Sequence, residues 1–135
     1  MEKIVIPAKA DKLQEVLDFV SDVLDSKAVD MGLTTKIQIA VEEIFINISS
    51  YAYGDSAGEA IINIDVDEAK RLVKITFADE GVPYDPLEKP DPDINLAASE
   101  RPIGGLGIFM VKKMMTDVSY EYTEGQNRLT ITKEY

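Results

Sequence analysis

The stretch EAIINIDVDEAKRLVKITFA, residues 59–78, is where the fold is decided. Apolar and β-branched residues alternate with polar ones through 59–67 and again through 71–78, the period of strands with one buried face. Glu68 to Lys70 between them supply a short turn. Two strands this close in sequence pair side by side, so the chain is organised around a sheet.

On the N-terminal side of this pair, residues 33–53 read as a helix, with Thr34 or Thr35 as its cap and Gly54 as its end. Its apolar residues, among them Ile37, Val41, Ile44, Phe45 and Ile48, cover most of the circumference, which predicts burial on more than one side. Residues 10–28 form an amphipathic helix, with Leu13, Val16, Leu17, Val20, Val23 and Leu24 on one face. Residues 3–8 read as a short strand ending at Pro7. On the C-terminal side lies an irregular stretch, 79–105, carrying five prolines. A connection this long in a small domain is a lid or is disordered. A third helix over 106–116 and a hairpin over 117–135, turning near Gly125, complete the chain. The order is strand, two helices, two strands, lid, helix, two strands. It predicts an α+β two-layer sandwich, with three helices on one face of an antiparallel or mixed sheet. No repeat and no boundary divides residues 1–135, so a single domain is expected.

Composition narrows the chemistry. The chain of 135 residues has no cysteine and no histidine. Thiolate nucleophiles, histidine general bases, histidine-held metals and a histidine phosphoacceptor within the chain are therefore excluded. With 25 acidic against 14 basic residues, the net charge is −11, which argues against direct nucleic-acid binding. An anionic ligand would need a cation or backbone amides to meet it. No signal-like start and no bilayer-length apolar run is visible, so a soluble cytoplasmic protein without membrane contact is expected.

Four groups could carry chemistry. Glu43 and Asn47 are four apart and share a helix face, with Glu42 beside them. The pattern fits a solvated helix surface. It also fits an amide oxygen on Mg²⁺ next to a carboxylate that orients or deprotonates a hydroxyl. Asp79, Glu80 and Gly81 close a strand; they suit a polar turn, or an acceptor for an exocyclic amine with room for a flat ring. Gly104, Gly105 and Gly107, with Leu106 among them, precede the third helix. They suit a tight helix entry, or a backbone that phosphate can approach at a helix N-terminus. Arg101 is either a solvated loop residue or a guanidinium for a terminal phosphate.

Taken in order, VEEIFINISSYAYG, FADEGVPYDP and ERPIGGLGIFMVKKM resemble the N box and the two glycine boxes of the GHKL ATPase superfamily. The small size and the last motif are similar to those of anti-sigma-factor serine/threonine kinases. The resemblance implies a Bergerat ATP-binding fold over nearly the whole chain, with a mixed, mainly antiparallel sheet and an ATP lid at about 86–105. It implies ATP with Mg²⁺. Glu43 then matches the catalytic carboxylate and Asn47 the magnesium ligand. Asp79 matches the adenine-amino acceptor with Gly81 beside the base, and Gly104, Gly105, Leu106 and Gly107 match the phosphate-facing hinge. Arg101 matches a lid arginine at the γ-phosphate or a partner. The implied substrate is a serine or threonine of an anti-anti-sigma STAS-type protein, the other implied partner is a sigma factor held inactive, and a homodimer is expected.

Two positions depart from the family. Tyr51 stands where histidine is common. In the final hairpin Asn127 stands where the family has a threonine near adenine, with Thr130 as the alternative. The implied activity is phosphoryl transfer to a protein hydroxyl. The alternative is a nucleotide-gated protein binder that uses the same pocket without catalysis.

Overall fold

The structure is a computed structural model that describes residues 1–54, 56–88 and 105–135. In chain order these form β1 (Glu2–Pro7), a 3₁₀ turn (Ala10–Lys12), α1 (Leu13–Ser26), α2 (Met31–Tyr51), β2 (Glu59–Asp67) and β3 (Leu72–Asp79). A second 3₁₀ turn (Pro86–Glu88), α3 (Gly105–Met114), β4 (Asp117–Thr123) and β5 (Gln126–Glu134) follow. Of the lid expected over 86–105, only this 3₁₀ turn and Gly105 lie among the described residues.

The five strands form one sheet in the order β1-β2-β3-β5-β4, and every neighbouring pair is antiparallel. The mixed sheet implied by the resemblance is therefore antiparallel throughout the described residues. Chain passes explain this. Two helices separate β1 from β2 and return the chain to the end it left, so Pro7 pairs with Glu59 and the strands run oppositely. Between β3 and β4 the described residues hold the second 3₁₀ turn and α3, and α3 takes the chain back along the sheet, so those two strands would pair in parallel if they were neighbours. Instead β5 inserts between them, with Asp79 opposite Asn127.

The helix ends follow local chemistry. α2 starts earlier than Thr34 or Thr35 because Asp30 is its cap, its side chain accepting from Gly32 N at 3.0 Å. Thr34 is buried instead, and the Thr35 hydroxyl donates back to Met31 O at 3.0 Å. Residues 10–12 of the expected first helix form the 3₁₀ turn, and α1 proper begins at Leu13. Beyond α2, Gly54 takes a φ of +57°, a conformation that glycine adopts without a Cβ penalty.

The three helices cover one face of the sheet. Val16, Val20 and Leu24 of α1, Ile37, Ile44 and Phe45 of α2, and Ile108 and Val111 of α3 pack on Ile62, Ile64, Ile75, Phe77 and Ile131 in one buried cluster. Each such side chain contributes about 1.5–3 kcal/mol when buried. α2 lies between α1 and α3 as well as on the sheet, which is the burial on several sides its composition predicts. The opposite face of the sheet is polar and carries Thr76 and Thr130, whose hydroxyls are 3.2 Å apart.

Candidate functional site

The C-terminal ends of α2 and β3 and the start of β5 meet around a cleft of about 490 Å³, its open mouth included. Its walls are mostly apolar, with Ile44, Ile48, Phe77 and Leu129 among them. Asn47, Asp79, Asn127 and the phenols of Tyr51, Tyr84 and Tyr120 interrupt them. A largely apolar cleft with a few convergent polar groups is the usual form of a small-molecule site. Tyr51 and Tyr84 flank it, their rings 6.4 Å apart, and are 57% and 40% exposed.

Asp79 is the last residue of β3 and is 6% exposed. Its Oδ1 accepts from Gly81 N at 3.0 Å and from Asn127 Nδ2 at 2.9 Å. No hydrogen bond reaches its Oδ2 among the described residues. Gly81 follows because the loop runs against the end of α2. A Cβ there would lie 2.1 Å from Ala52 O, and the next residue, Val82, donates its N–H to that same oxygen at 2.9 Å. The close approach that demands glycine at this point is to the protein's own backbone.

Asn127 ties the loop down. Its Oδ1 accepts from Tyr84 N at 3.0 Å and from the Tyr120 hydroxyl at 2.5 Å, and its Nδ2 donates to Val82 O at 3.0 Å as well as to Asp79. Tyr53 makes a second tie. Its hydroxyl donates to Glu59 O at 2.6 Å and accepts from Glu80 N at 2.8 Å. Its ring lies where a Cβ on Gly58 would stand, 2.3 Å away. Burial pushes the phenols of Tyr53 and Tyr120 above their ordinary range; the Asp79 carboxylate adds to the rise, and backbone N–H groups of Glu80 and Tyr84 respectively oppose it.

The other end of the site is differently built. Glu43 and Asn47 are half-buried on α2, where Asn47 lines the cleft, while Glu42 is exposed. Glu43 reaches the first turn of α3, where its Oε2 stands 2.3 Å from the position a Cβ on Gly107 would take. Among the described residues neither the Glu43 carboxylate nor the Asn47 amide has a hydrogen-bond partner. Gly105 and Leu106 open α3. Arg101 and Gly104 lie outside the described residues.

Thr130 stays apart from this assembly. Asn127 and Thr130 are three apart on one strand, so their side chains point to opposite faces. Asn127 faces the helices and the cleft; Thr130 is on the open face with Thr76. Sequence reasoning missed Tyr53, Tyr84 and Tyr120. The signal available was their chemistry: a phenol with its ring packed away looks for a partner at its hydroxyl. Among the described residues no three His, Cys, Asp or Glu side chains gather as a metal site, and no helix is long and apolar enough to cross a membrane.

Residues 6–133 match the family model described as histidine kinase-like ATPase domain. The chain belongs to this family. Among curated relatives, this histidine kinase-like ATPase domain is similar to "Serine-protein kinase RsbW" of Bacillus cereus, 29% identical over 128 residues, which covers 92% of this chain and 79% of the relative. It is also similar to "Serine/threonine-protein kinase BtrW" of Bordetella bronchiseptica, 28% identical over 96 residues, covering 71% of this chain and 67% of that one. A further serine-protein kinase of the first name, from Bacillus thuringiensis, is 28% identical over 128 residues, with 92% and 79% covered.

Proposed function

We propose that the chain is an ATP-dependent serine/threonine protein kinase that acts as an anti-sigma factor. In this reading it phosphorylates an anti-anti-sigma STAS-type protein, holds a sigma factor inactive and works as a homodimer. The observation that carries the nucleotide reading is Asp79, a nearly buried carboxylate at the cleft with one oxygen tied and the other without a partner among the described residues. The family and the names of the relatives support phosphoryl transfer to a protein hydroxyl.

In this mechanism the apolar walls take the flat base and Asp79 Oδ2 accepts from its exocyclic amine. That leaves the phosphates toward Asn47, Glu43 and the first turn of α3, whose unpaired N–H groups favour anions. Among the described residues Asn47 and Glu43 are oxygen donors without protein partners, too few to cage a cation unaided, which fits a metal that keeps waters and phosphate oxygens. Mg²⁺ at the Asn47 amide oxygen would neutralise phosphate charge. Arg101 and Gly104 are assigned to the phosphate end by their match to the family's motif. Glu43 orients the incoming serine or threonine and takes its proton. The hydroxyl oxygen forms its bond to the γ-phosphorus as the bond to the bridging oxygen breaks, and ADP leaves. Such catalysis is mostly positioning and electrostatics.

Two measurements test this. Titration calorimetry with Mg-ATP is expected to show binding that Asp79→Asn weakens by about tenfold or more and that loses its magnesium dependence in Asn47→Ala. Transfer of the γ-phosphate to a STAS-type partner is expected to stop in Glu43→Gln while ATP binding persists. Binding of ATP without any transfer by the wild type would instead favour a nucleotide-gated binder, and an absence of ATP binding would overturn both.

A further inference from the structure

We infer that Asn127 and Tyr120 are positioning residues for base selectivity, which lock Asp79 so that its Oδ2 alone is presented to an exocyclic amine in the cleft. The inference rests on the nucleotide reading above and goes beyond it, because it assigns a role to two residues that need not touch the ligand.

The direction of the Asn127 amide is forced by its neighbours. Tyr84 N–H can only donate, so the atom 3.0 Å from it is Oδ1. Val82 C=O can only accept, so the atom 3.0 Å from it is Nδ2. With that orientation Oδ1 has two donors, Tyr84 N–H and the Tyr120 hydroxyl, and both Nδ2 protons have acceptors, Val82 O and Asp79 Oδ1. The full capacity of the amide is used inside the protein, and the residue is 7% exposed. Asn127 therefore acts on a bound base through Asp79.

The effect on Asp79 is specific. Gly81 N–H and Asn127 Nδ2 both bond Oδ1, from the chain on one side and from β5 on the other. Two donors on one oxygen fix the plane of the carboxylate and leave the second oxygen open. The same amide holds Val82 and Tyr84, two residues of the cleft wall, so the acceptor and the wall beside it are set by one side chain. A ligand group meeting a prearranged acceptor loses less on binding than one that must organise it. Selectivity for an amine then depends on the tie to Asp79, while the ties to Val82 and Tyr84 set the wall and bear on any base alike.

The test compares ATP with purine riboside triphosphate, which lacks the 6-amino group, by calorimetry on the wild type, Tyr120→Phe and Asn127→Asp. Thermal unfolding is recorded for each. The wild type is expected to prefer ATP by about tenfold or more, the worth of a hydrogen bond to a charged acceptor. In Tyr120→Phe, which removes one donor and little volume, the preference is expected to fall about threefold. In Asn127→Asp it is expected to fall further, since the tie to Asp79 becomes a repulsion. Affinity for the purine analogue should stay nearly constant in Tyr120→Phe and fall less than that for ATP in Asn127→Asp, where the tie to Val82 is lost as well. A role confined to stability would lower both affinities together and leave their ratio unchanged, which overturns the inference. So would a failure of both variants to fold, since the tie would then be a fold requirement alone. If the wild type binds the two nucleotides equally, or neither, the nucleotide reading of Asp79 fails first.

Discussion

The Asp79 end of the cleft and the neighbouring Glu43–Asn47 end, which we propose take the base and the phosphates, are built on opposite principles. Around Asp79, strands and a loop are tied by hydrogen bonds that Asn127 and Tyr120 donate and that the Tyr53 hydroxyl accepts from Glu80 N, and among the described residues one acceptor is left over. Around Glu43 and Asn47, one helix turn apart on α2, the polar side chains have no protein partner among the described residues. A rigid end suits a flat group of fixed shape. An end whose oxygens are free suits charged groups that bring their own cation and water. The same contrast appears at two glycines. A Cβ at Gly81 meets the backbone of Ala52, which cannot step aside, whereas a Cβ at Gly107 meets the tip of the Glu43 side chain, which can.

The largest expected effect is at the rigid end. Gly81→Ala should destabilise the protein by about 3 kcal/mol, because the loop must leave Ala52 and loosen Asn127 and Asp79 with it. Chemical denaturation reads this directly, and a change under about 0.5 kcal/mol, the scale of an ordinary surface substitution, would mean that the end is not rigid. Next, Asp79→Asn should weaken ATP binding by tenfold or more, about the worth of a hydrogen bond to a charged group, in a protein that still unfolds cooperatively. Calorimetry paired with a melting curve separates the two.

Gly107→Ala should leave stability unchanged or raised by up to about 1 kcal/mol, since alanine suits a helix better than glycine. It should nevertheless slow phosphoryl transfer, because Glu43 is pushed from its place. A loss of stability comparable to that of Gly81→Ala would erase the difference between the ends.

The smallest effect is in alkali. Burial raises the phenol pKa of Tyr53 and Tyr120, so the folded state favours their neutral forms. That contribution is complete below the ordinary tyrosine range near pH 10 and is lost as pH rises through the raised values. Unfolding midpoints from pH 9 to 12 should fall less steeply in Tyr120→Phe than in the wild type. An identical slope would remove Tyr120 from the account.

Much of the fold is legible along the chain because strand period, helix period and turn chemistry are local. Residues 59–67 read as the strand that forms, and the strand read at 71–78 lies one residue from Leu72–Asp79. The helix cap was misread because two threonines inside the helix resemble caps, while Asp30, just ahead of Met31, does the work. The candidate site residues were legible by type. Asn47, Asp79 and Asn127 line one cleft although 80 positions separate the first from the last, from 47 to 127. Their partners were not legible, because a hydrogen bond from Tyr120 or Tyr84 depends on register and on which strand lies beside which.

The amino-acid sequence by itself determined that this is an acidic α+β chain without thiol or imidazole chemistry, and that its chemistry must use carboxylates, amides, hydroxyls, cationic side chains or backbone groups. It also determined which segments are strands and helices, since those preferences act over a few residues. Only the tertiary structure decided that β5 enters between β3 and β4, which makes the sheet antiparallel and sets Asn127 opposite Asp79. It also decided that Thr130 turns away from the cleft. The physical reason is pairing register. A strand's two faces are equivalent until a neighbour and a core choose between them, and that choice is made by contacts distant in sequence.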